Sequence, residues 1–486
     1  MVGPFNCIED IPFPSFRLLN RFPIGEQHGE SAATVRNIDN CRLGGQNART
    51  GTTAAHRPCD LDMWVVLLRL VGSLFPERLL ACTSDFKTAY RQVTACILQL
   101  RQFVVAIWSP VLNRPIFGLA VSQLFGSGAA PLNFSRYPHW CAEVMSMLHG
   151  VAMVQCVDDL LFCERASTMH SAYTYWRLLA RVNGWNIPDE KSPEPQAVLR
   201  TLGAMTDLSD FPNGPVTLKA IEDRCIAMET ELQAILDNGV LLPASAGKIY
   251  GRLQFASSCY FGRLGRALLR AFGRRQHELG RAALNPQIIA ACKFWLRNMQ
   301  SMRPREVPIN VENRPLAISY SDGEGSEAGV GIALWLPDGN VRAGYTKLPD
   351  EVRRLWQRKP TGEDQFDIFE IEAVGPLLVL WNWGWLIRDH LWIHFIDNEA
   401  ALASLAKGSS SVLSGEVIVA FTHELAAKLG VWGWYDRVDT KANPVDKLSR
   451  GDNSGDWTVV RITFPGKLIQ QLREYNVRPL SSNSSL

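Results

Sequence analysis

Apolar and polar positions along the chain change period several times, and each change marks an element. Leu61–Leu74 and residues 134–148 repeat apolar side chains every three to four positions, which predicts amphipathic helices. Short apolar runs at 79–83, 103–108, 151–156 and 160–163 predict strands between them. Residues 218–237 and 244–299 read as mostly helical. Residues 306–315 (EVPINVENRP) break the pattern and read as a linker. A second alternating pattern follows: strands LAISYS, GVGIALWL and VRAGYT around a PDGN turn, a helix over 369–386, and strand LWIHFI. Helices over 398–406 and 412–429, strand VWGWYDRV and a short last helix complete it. Three meandering strands followed by alternating helix and strand predict a mixed sheet.

These periods divide the chain into an irregular segment 1–60, helix–strand stretches 61–215, a helical stretch 216–305, an α/β unit 316–450 and a tail 451–486 that ends in SSNSSL. The fold class expected is therefore α/β (α+β) in several domains. The 486 residues agree with a prior of about two to four domains. With 47% apolar and 20% charged residues, a disordered, collagenous or coiled-coil chain is excluded. No apolar run reaches the ~20 residues that span a bilayer, and the N-terminus lacks the order of a secretory signal, so no membrane association is expected. The N-terminus starts abruptly, as a fragment would. The eleven cysteines contain no C-x-x-C and read as reduced thiols of an intracellular protein, cytoplasmic or nuclear.

Net charge is only +2, but residues 262–305 carry ten basic residues against one acid, Glu278. Arg263, Arg266, Arg270, Arg274 and Arg275 lead this run. A solvated helix face is one reading, and a polyanion track is the one preferred here. The Trp-rich W-N-W-G-W at 381–385 sits on a predicted helix and reads as core packing rather than base stacking.

Two acidic sets carry the chemistry. In the first, Asp85 follows an apolar strand, and Asp158 and Asp159 interrupt an apolar hairpin. A lone D-D also suits a turn tip, and Asp85 alone a helix cap. Three carboxylates converging at strand ends suit two divalent cations ~3.5–4 Å apart. Acids without His or Cys suit magnesium. In the second set, Asp322 lies in Y-S-D-G-E-G, Glu370 in F-E-I-E-A, Asp397 in F-I-D-N-E-A and Asp446 in A-N-P-V-D-K-L-S-R.

The order D-x-K-x-A-Y-R-Q-V, F-G-S-G-A-A-P-x-x-F, V-D-D, G-W-x-I-P-D-E-K-S and L-G-A resembles the palm of a reverse transcriptase, and the upstream V-R-N-I-D-N-C-R resembles its fingers. The likeness covers about 30–215, with the basic helices after it in the place of a thumb. It implies that Asp85, Asp158 and Asp159 bind metal and that Lys191 stands by the leaving pyrophosphate. By the same resemblance Tyr90 gates the sugar 2′-position, Phe125 and Gly126 pack near the incoming base, and Arg36 grips the triphosphate. Leu202 and Gly203 would mark the primer grip. The fingers depart from the pattern, because no lysine occurs between Arg17 and Lys87.

The second set resembles ribonuclease H over about 316–450, and the E-[IL]-x-A pattern picks Glu370 rather than Glu372. The N-P-x-D-x-x-S-R ending looks most like DIRS-type or related retrotransposons. The histidine that the family often carries before the last acid is missing from D-R-V-D-T-K-A-N, which implies slow turnover. The resemblances together imply an RNA-directed DNA polymerase with ribonuclease H activity, using two Mg2+ (or Mn2+) per active site. Its partners would be an RNA template, a DNA primer, an RNA–DNA hybrid and dNTPs. The chain would be a fragment or one processed product of a retroelement polyprotein, of unspecified oligomeric state. The alternative is a degenerate or domesticated copy that binds nucleic acid without catalysis. A spliceosomal or maturase-like palm is disfavoured by the appended nuclease-like half.

Overall fold

A computed structural model describes residues 1–26, 34–51, 59–356, 368–453, 455 and 457–475. The chain is α/β with mixed sheets, and it separates into two compact units. The first comprises Met1–Leu202 and Thr206–Val216, the second Gly203–Met205 and Thr217–Leu486.

The first unit contains β1 (Val2–Phe5), β2 (Leu18–Glu26), β3 (Thr34–Asp39), α1 (Leu61–Leu74), β4 (Leu79–Asp85), β5 (Val104–Ser109) and β6 (Arg114–Leu119). It continues with α2 (Ala130–His149), β7 (Met153–Cys156), β8 (Asp159–Arg165), α3 (Ala166–Val182) and β9 (Val198–Thr201). Five strands form one sheet in the order β1-β6-β5-β2-β3, and three form another, β4-β8-β7. Helix α1 has the predicted bounds because Asp60 caps it, its side chain accepting from the Asp62 and Met63 amides. Helix α2 starts earlier than its apolar period, with Pro131 in the first turn where no amide partner is needed. Phe86, Phe134 and Trp176 are buried together beneath the small sheet.

After β10 (Ala204–Asp207), the second unit runs through β11 (Thr217–Ala220), α4 (Glu222–Asn238), α5 (Pro243–Ser257), α6 (Leu269–Arg275), α7 (Pro286–Asn298) and β12 (Arg305–Glu306). The predicted helical stretch 244–299 is thus three helices. One break falls at Gly265, whose φ is +76° and where a Cβ would meet the Trp295 ring at 2.4 Å, so only glycine fits. The stretch read as a linker is packed at its start: Glu306 is buried in β12, paired with Arg303 at 2.6 Å and Arg314 at 3.3 Å, and Val307 is buried beside it.

The unit continues with β13 (Leu316–Glu324), β14 (Gly329–Trp335), β15 (Val341–Lys347), α8 (Asp350–Trp356), α9 (Ile368–Trp383), β16 (Leu391–Ile396), α10 (Glu399–Lys407) and α11 (Leu413–Leu429). Strand β17 (Trp432–Arg437), α12 (Asp446–Ser449), β18 (Val459–Arg461) and α13 (Gly466–Glu474) end it. The sheet order is β17-β16-β13-β14-β15-β18. The meander β13-β14-β15 is antiparallel, while β16 runs parallel to β13, and β17 to β16. Helix α9 is apolar almost all round and buried, as such a helix must be, and α11 is buried too although it carries Ser414, Glu416, Thr422, His423 and Glu424. Of the tryptophans at 381–385, Trp383 is in the core, whereas Trp381 and Trp385 are exposed.

One apolar core runs from Cys225 through Tyr475, so α4–α7 and the sheet-bearing segment share it. Beside it the Glu416 carboxylate, fully buried, accepts from both Arg274 guanidinium nitrogens and from the Tyr475 hydroxyl (2.5 Å), with Arg270 Nε 3.3 Å away. Among the described residues no helix is long and apolar enough to cross a membrane. All eleven cysteines are free.

Candidate active sites

In the first unit, β4 ends on Asp85 and β8 begins on Asp159, and the two residues are direct antiparallel partners. This register brings the two carboxylates to the same end of the sheet. Asp158 lies in the β7–β8 turn after Val157, a β-branched residue held at φ +56°. Such a residue is strained in the left-handed region, and the tightness of the turn puts consecutive acids at the strand end. The Phe86 amide donates to the Asp158 carbonyl (3.4 Å). The Lys191 ammonium sits on Asp85 Oδ2, while Asp85 Oδ1 is buried without a hydrogen-bond partner. Burial, then the charges of Asp158 and Asp85, pushes the Asp159 carboxyl up to about 7, against the opposing pull of Lys191. Crowded carboxylates with an unsatisfied buried oxygen suit a divalent cation, which would neutralise them.

Tyr90 stands in a short turn, its ring 4.9 Å from Phe125 and 5.7 Å from Phe134. Gly126 has φ +113°, and a Cβ there would meet the Asp39 carbonyl at 2.1 Å. Asn47 brackets this loop, donating to the Gly126 carbonyl and accepting from the Gly128 amide, both at 2.9 Å. Arg36 lies on β3, but its side chain is outside the described residues. Buried Asp39 pairs with Arg21 (2.7 Å) and Arg91 (2.8 Å), a triad not anticipated from the motif. Leu202 and Gly203 both have positive φ, 48° and 84°, and form the turn between β9 and β10.

In the second unit, Asp322 on β13, Glu372 on α9 and Asp397 after β16 offer ligand oxygens that all lie within 4.8 Å of one another. Among the described residues no other three acids, cysteines or histidines come so close, so Asp85, Asp158 and Asp159 are spread more widely. The cleft holding the triad has a volume of about 570 Å3, and Asp446 and Arg450 line it too. The Gly323 amide donates to Glu372 Oε1 (3.0 Å), and Thr440 Oγ1 donates to Asp397 Oδ2 (2.9 Å). Asn443 donates to the Ser321 carbonyl (3.0 Å), which holds the loop before Asp446 against β13. Asp446 accepts from Arg450 (2.9 Å). Burial, then the Asp397 and Asp446 charges, pushes Asp322 up to about 6, although Ser449 and Arg450 oppose the rise. Burial, then Asp322 and Asp397, holds Glu372 well above the usual carboxylate range. Glu372 Oε2 is buried without a hydrogen-bond partner. An oxygen-only, crowded and partly unsatisfied donor set fits magnesium or manganese.

The structure corrects two expectations. Glu372, not Glu370, joins the triad. Residues two apart on a helix point ~200° apart, so only one of the pair can face the strand end. Glu370 turns to α11, where its Oε1 accepts from Ser414 at 2.5 Å. The basic run is also not one track. Arg263 is exposed and Arg266 half-buried, but Arg270 and Arg274 are committed to Glu416. Arg275 is 2% exposed, bound to Glu278 and to the Leu241 and Ala283 carbonyls.

No family model and no curated protein matches this chain. Among solved structures, it is similar to a foamy viral protease-reverse transcriptase in complex with double-stranded DNA, at 10% identity and a TM-score of 0.48, over 87% of this chain and 66% of that one. A foamy viral protease-reverse transcriptase with an RNA/DNA hybrid is similar at 10% identity and a TM-score of 0.44, over 92% of this chain and 53% of that one. A third, with double-stranded DNA, gives 12% identity and a TM-score of 0.47 over 87% and 77%. The chain thus spans just under two thirds of the first of these and about half of the second.

Proposed function

We propose that this chain is an RNA-directed DNA polymerase with a ribonuclease H activity, from a DIRS-like or related retrotransposon. The observation that carries the reading is the Asp85–Asp159 strand pairing with Lys191 seated on Asp85, in the same chain as the Asp322, Glu372 and Asp397 triad. In this reading residues 61–215 are fingers and palm, 216–305 a thumb, and 316–450 the nuclease domain.

Asp85, Asp158 and Asp159 would hold Mg2+ or Mn2+ in the palm, and Asp322, Glu372, Asp397 and Asp446 would hold it in the cleft. When bound, the ions neutralise phosphate charge and make an attacking oxygen more acidic. The chain's own residues do the rest. Lys191 brings a positive charge to the acid cluster, where a leaving pyrophosphate would gather negative charge. Tyr90, backed by Phe125 and Phe134, walls the space beside the sugar. Thr440 and Gly323 fix the carboxylates of Asp397 and Glu372. Arg450 draws Asp446 to the rim of the cleft and adds positive charge for a phosphate. An RNA template, a DNA primer, dNTPs and an RNA–DNA hybrid are the partners.

Primer extension on an RNA template with magnesium, run beside cleavage of labelled RNA in a hybrid, tests both halves. Both activities are expected from the purified chain. Duplex binding without either would support the non-catalytic copy, a reading that the absence of lysine between Arg17 and Lys87 favours.

A further inference from the structure

Lys191 is half-buried at the end of a short 3-10 turn, Asp189–Lys191, whose first two residues are exposed, yet the backbone on which it stands is anchored on buried groups. Ser84 and Ser192, at 0% and 1% exposure, face each other with their hydroxyl oxygens 2.5 Å apart. Ser84 immediately precedes Asp85, and Ser192 immediately follows Lys191. The hydroxyl pair therefore joins the two backbones whose next side chains form the Lys191–Asp85 contact.

One face of α3 completes the support. Tyr173, Trp176 and Arg177 lie at i, i+3 and i+4 and so point the same way. The Trp176 indole N–H donates to Ser84 Oγ (2.8 Å), and the Tyr173 hydroxyl donates to the Ser192 carbonyl (2.7 Å). Arg177 donates to the Ile187 carbonyl (3.2 Å) and to Asp189 (2.6 Å). At the far end of the loop, Gln92 accepts from the Asn186 amide (2.8 Å) and donates to the Asn186 carbonyl (3.0 Å). A buried hydroxyl without its partner is costly, so this network favours one loop position over its neighbours.

We propose that Ser84, Ser192, Tyr173 and Trp176 are positioning residues that hold Lys191 in register with Asp85 for nucleotide transfer. The proposal rests on the polymerase reading. It concerns the seating of a lysine that ends a single 3-10 turn, Asp189–Lys191, rather than standing on a longer helix or a strand, so that its placement depends on what anchors the turn.

Single-nucleotide incorporation on a primed RNA template, with the full chain and magnesium, tests it. Lys191→Ala is expected to slow incorporation about 100-fold, in the range for removing an acid or charge at the reacting group. Ser192→Ala is expected to slow kcat about tenfold and to leave the deoxynucleotide KM within about twofold, because it misplaces a group rather than deleting one that binds the nucleotide. In the Lys191→Ala background, Ser192→Ala is expected to add nothing, since residues acting as a unit are not additive. If Ser192→Ala does not fold, Tyr173→Phe carries the same comparison, with an expected loss of about threefold that also vanishes without Lys191. Multiplicative losses in the double variants, or wild-type kcat in both single variants, would overturn the proposal while leaving the polymerase reading intact. A wild-type chain that cleaves hybrids but never extends a primer would remove the polymerase reading, and the proposal with it.

Discussion

The Gly323 amide donates to Glu372 Oε1 over 3.0 Å, which ties a helix carboxylate to the residue that follows Asp322 on its strand. Glu372→Gln keeps an oxygen for that amide but takes a carboxylate charge from the triad, so it should lower hybrid cleavage at least about 100-fold, the upper end for losing even a supporting metal-site partner. Glu370→Gln should leave cleavage within about threefold, since glutamine can still accept the Ser414 hydroxyl. Cleavage of a labelled hybrid by the two variants decides the matter. The reverse ranking would restore Glu370 to the site.

The two acid sets belong to different compact units. Asp158→Asn should abolish primer extension and spare hybrid cleavage, and Asp397→Asn should do the opposite. Both activities are measured on one preparation of each variant. Near-normal extension by Asp158→Asn would dismiss the palm assignment.

The arginines of the basic run should separate by role. Arg274→Ala leaves buried Glu416 short of its forked partner and should cost about 1.5–3 kcal/mol, the range for hydrogen bonds to charged groups. Urea unfolding measures this, and the salt dependence of duplex binding should not change. Arg263→Glu should instead flatten the log–log salt slope by about 0.9 for each phosphate that the arginine had neutralised, with stability unchanged. An unchanged slope would make Arg263 part of a solvated face.

The element types and most of their order were legible in the sequence because local signals carry them. The apolar period gave the bounds of α1, and the strand before Asp397 showed as an apolar run. What stayed hidden depends on distant partners. The basic run read as a track because Glu416, which takes up Arg270 and Arg274, lies 142 residues beyond Arg274. The break near Gly265 depends on Trp295 packing against it, and the burial of Glu306 on Arg303 and Arg314. The choice between Glu370 and Glu372 is a matter of helix phase against β13, which motif spacing does not encode.

His394 lies wholly buried between Ser319 (2.8 Å) and Ser321 (3.0 Å), the strand that leads to Asp322. Burial pushes its imidazole down to about 3, from an ordinary value of 6.5. The folded pKa is depressed, so the unfolded chain takes up the proton first. The stability tied to this group is full above about pH 6.5 and declines by about 1.4 kcal/mol per pH unit below it, until the folded pKa is reached. His394→Gln removes this term. Its stability loss between pH 7 and pH 5 should be smaller than that of wild type by about 2 kcal/mol. Urea unfolding at the two pH values measures it, and equal losses would place a charged imidazole in the fold.

Tyr90 makes the sharpest distinction between packing and chemistry, because its ring touches both Phe125 and the buried Phe134. A core role and a sugar-gate role give opposite forecasts for Tyr90→Ala. Losing a packed aromatic typically costs ~3–5 kcal/mol, which would depress use of every nucleotide together. Losing a steric wall admits the 2′-hydroxyl, so ribonucleotide use should rise relative to deoxyribonucleotide use. Phe125 and Phe134 remain to hold the turn from one side, and the gate reading forecasts only a modest fall in deoxyribonucleotide incorporation. Single-nucleotide incorporation of each sugar, compared at matched folded fraction, separates the two. An unchanged ribo-to-deoxyribo ratio would make Tyr90 a core residue and remove one support from DNA synthesis as the reaction.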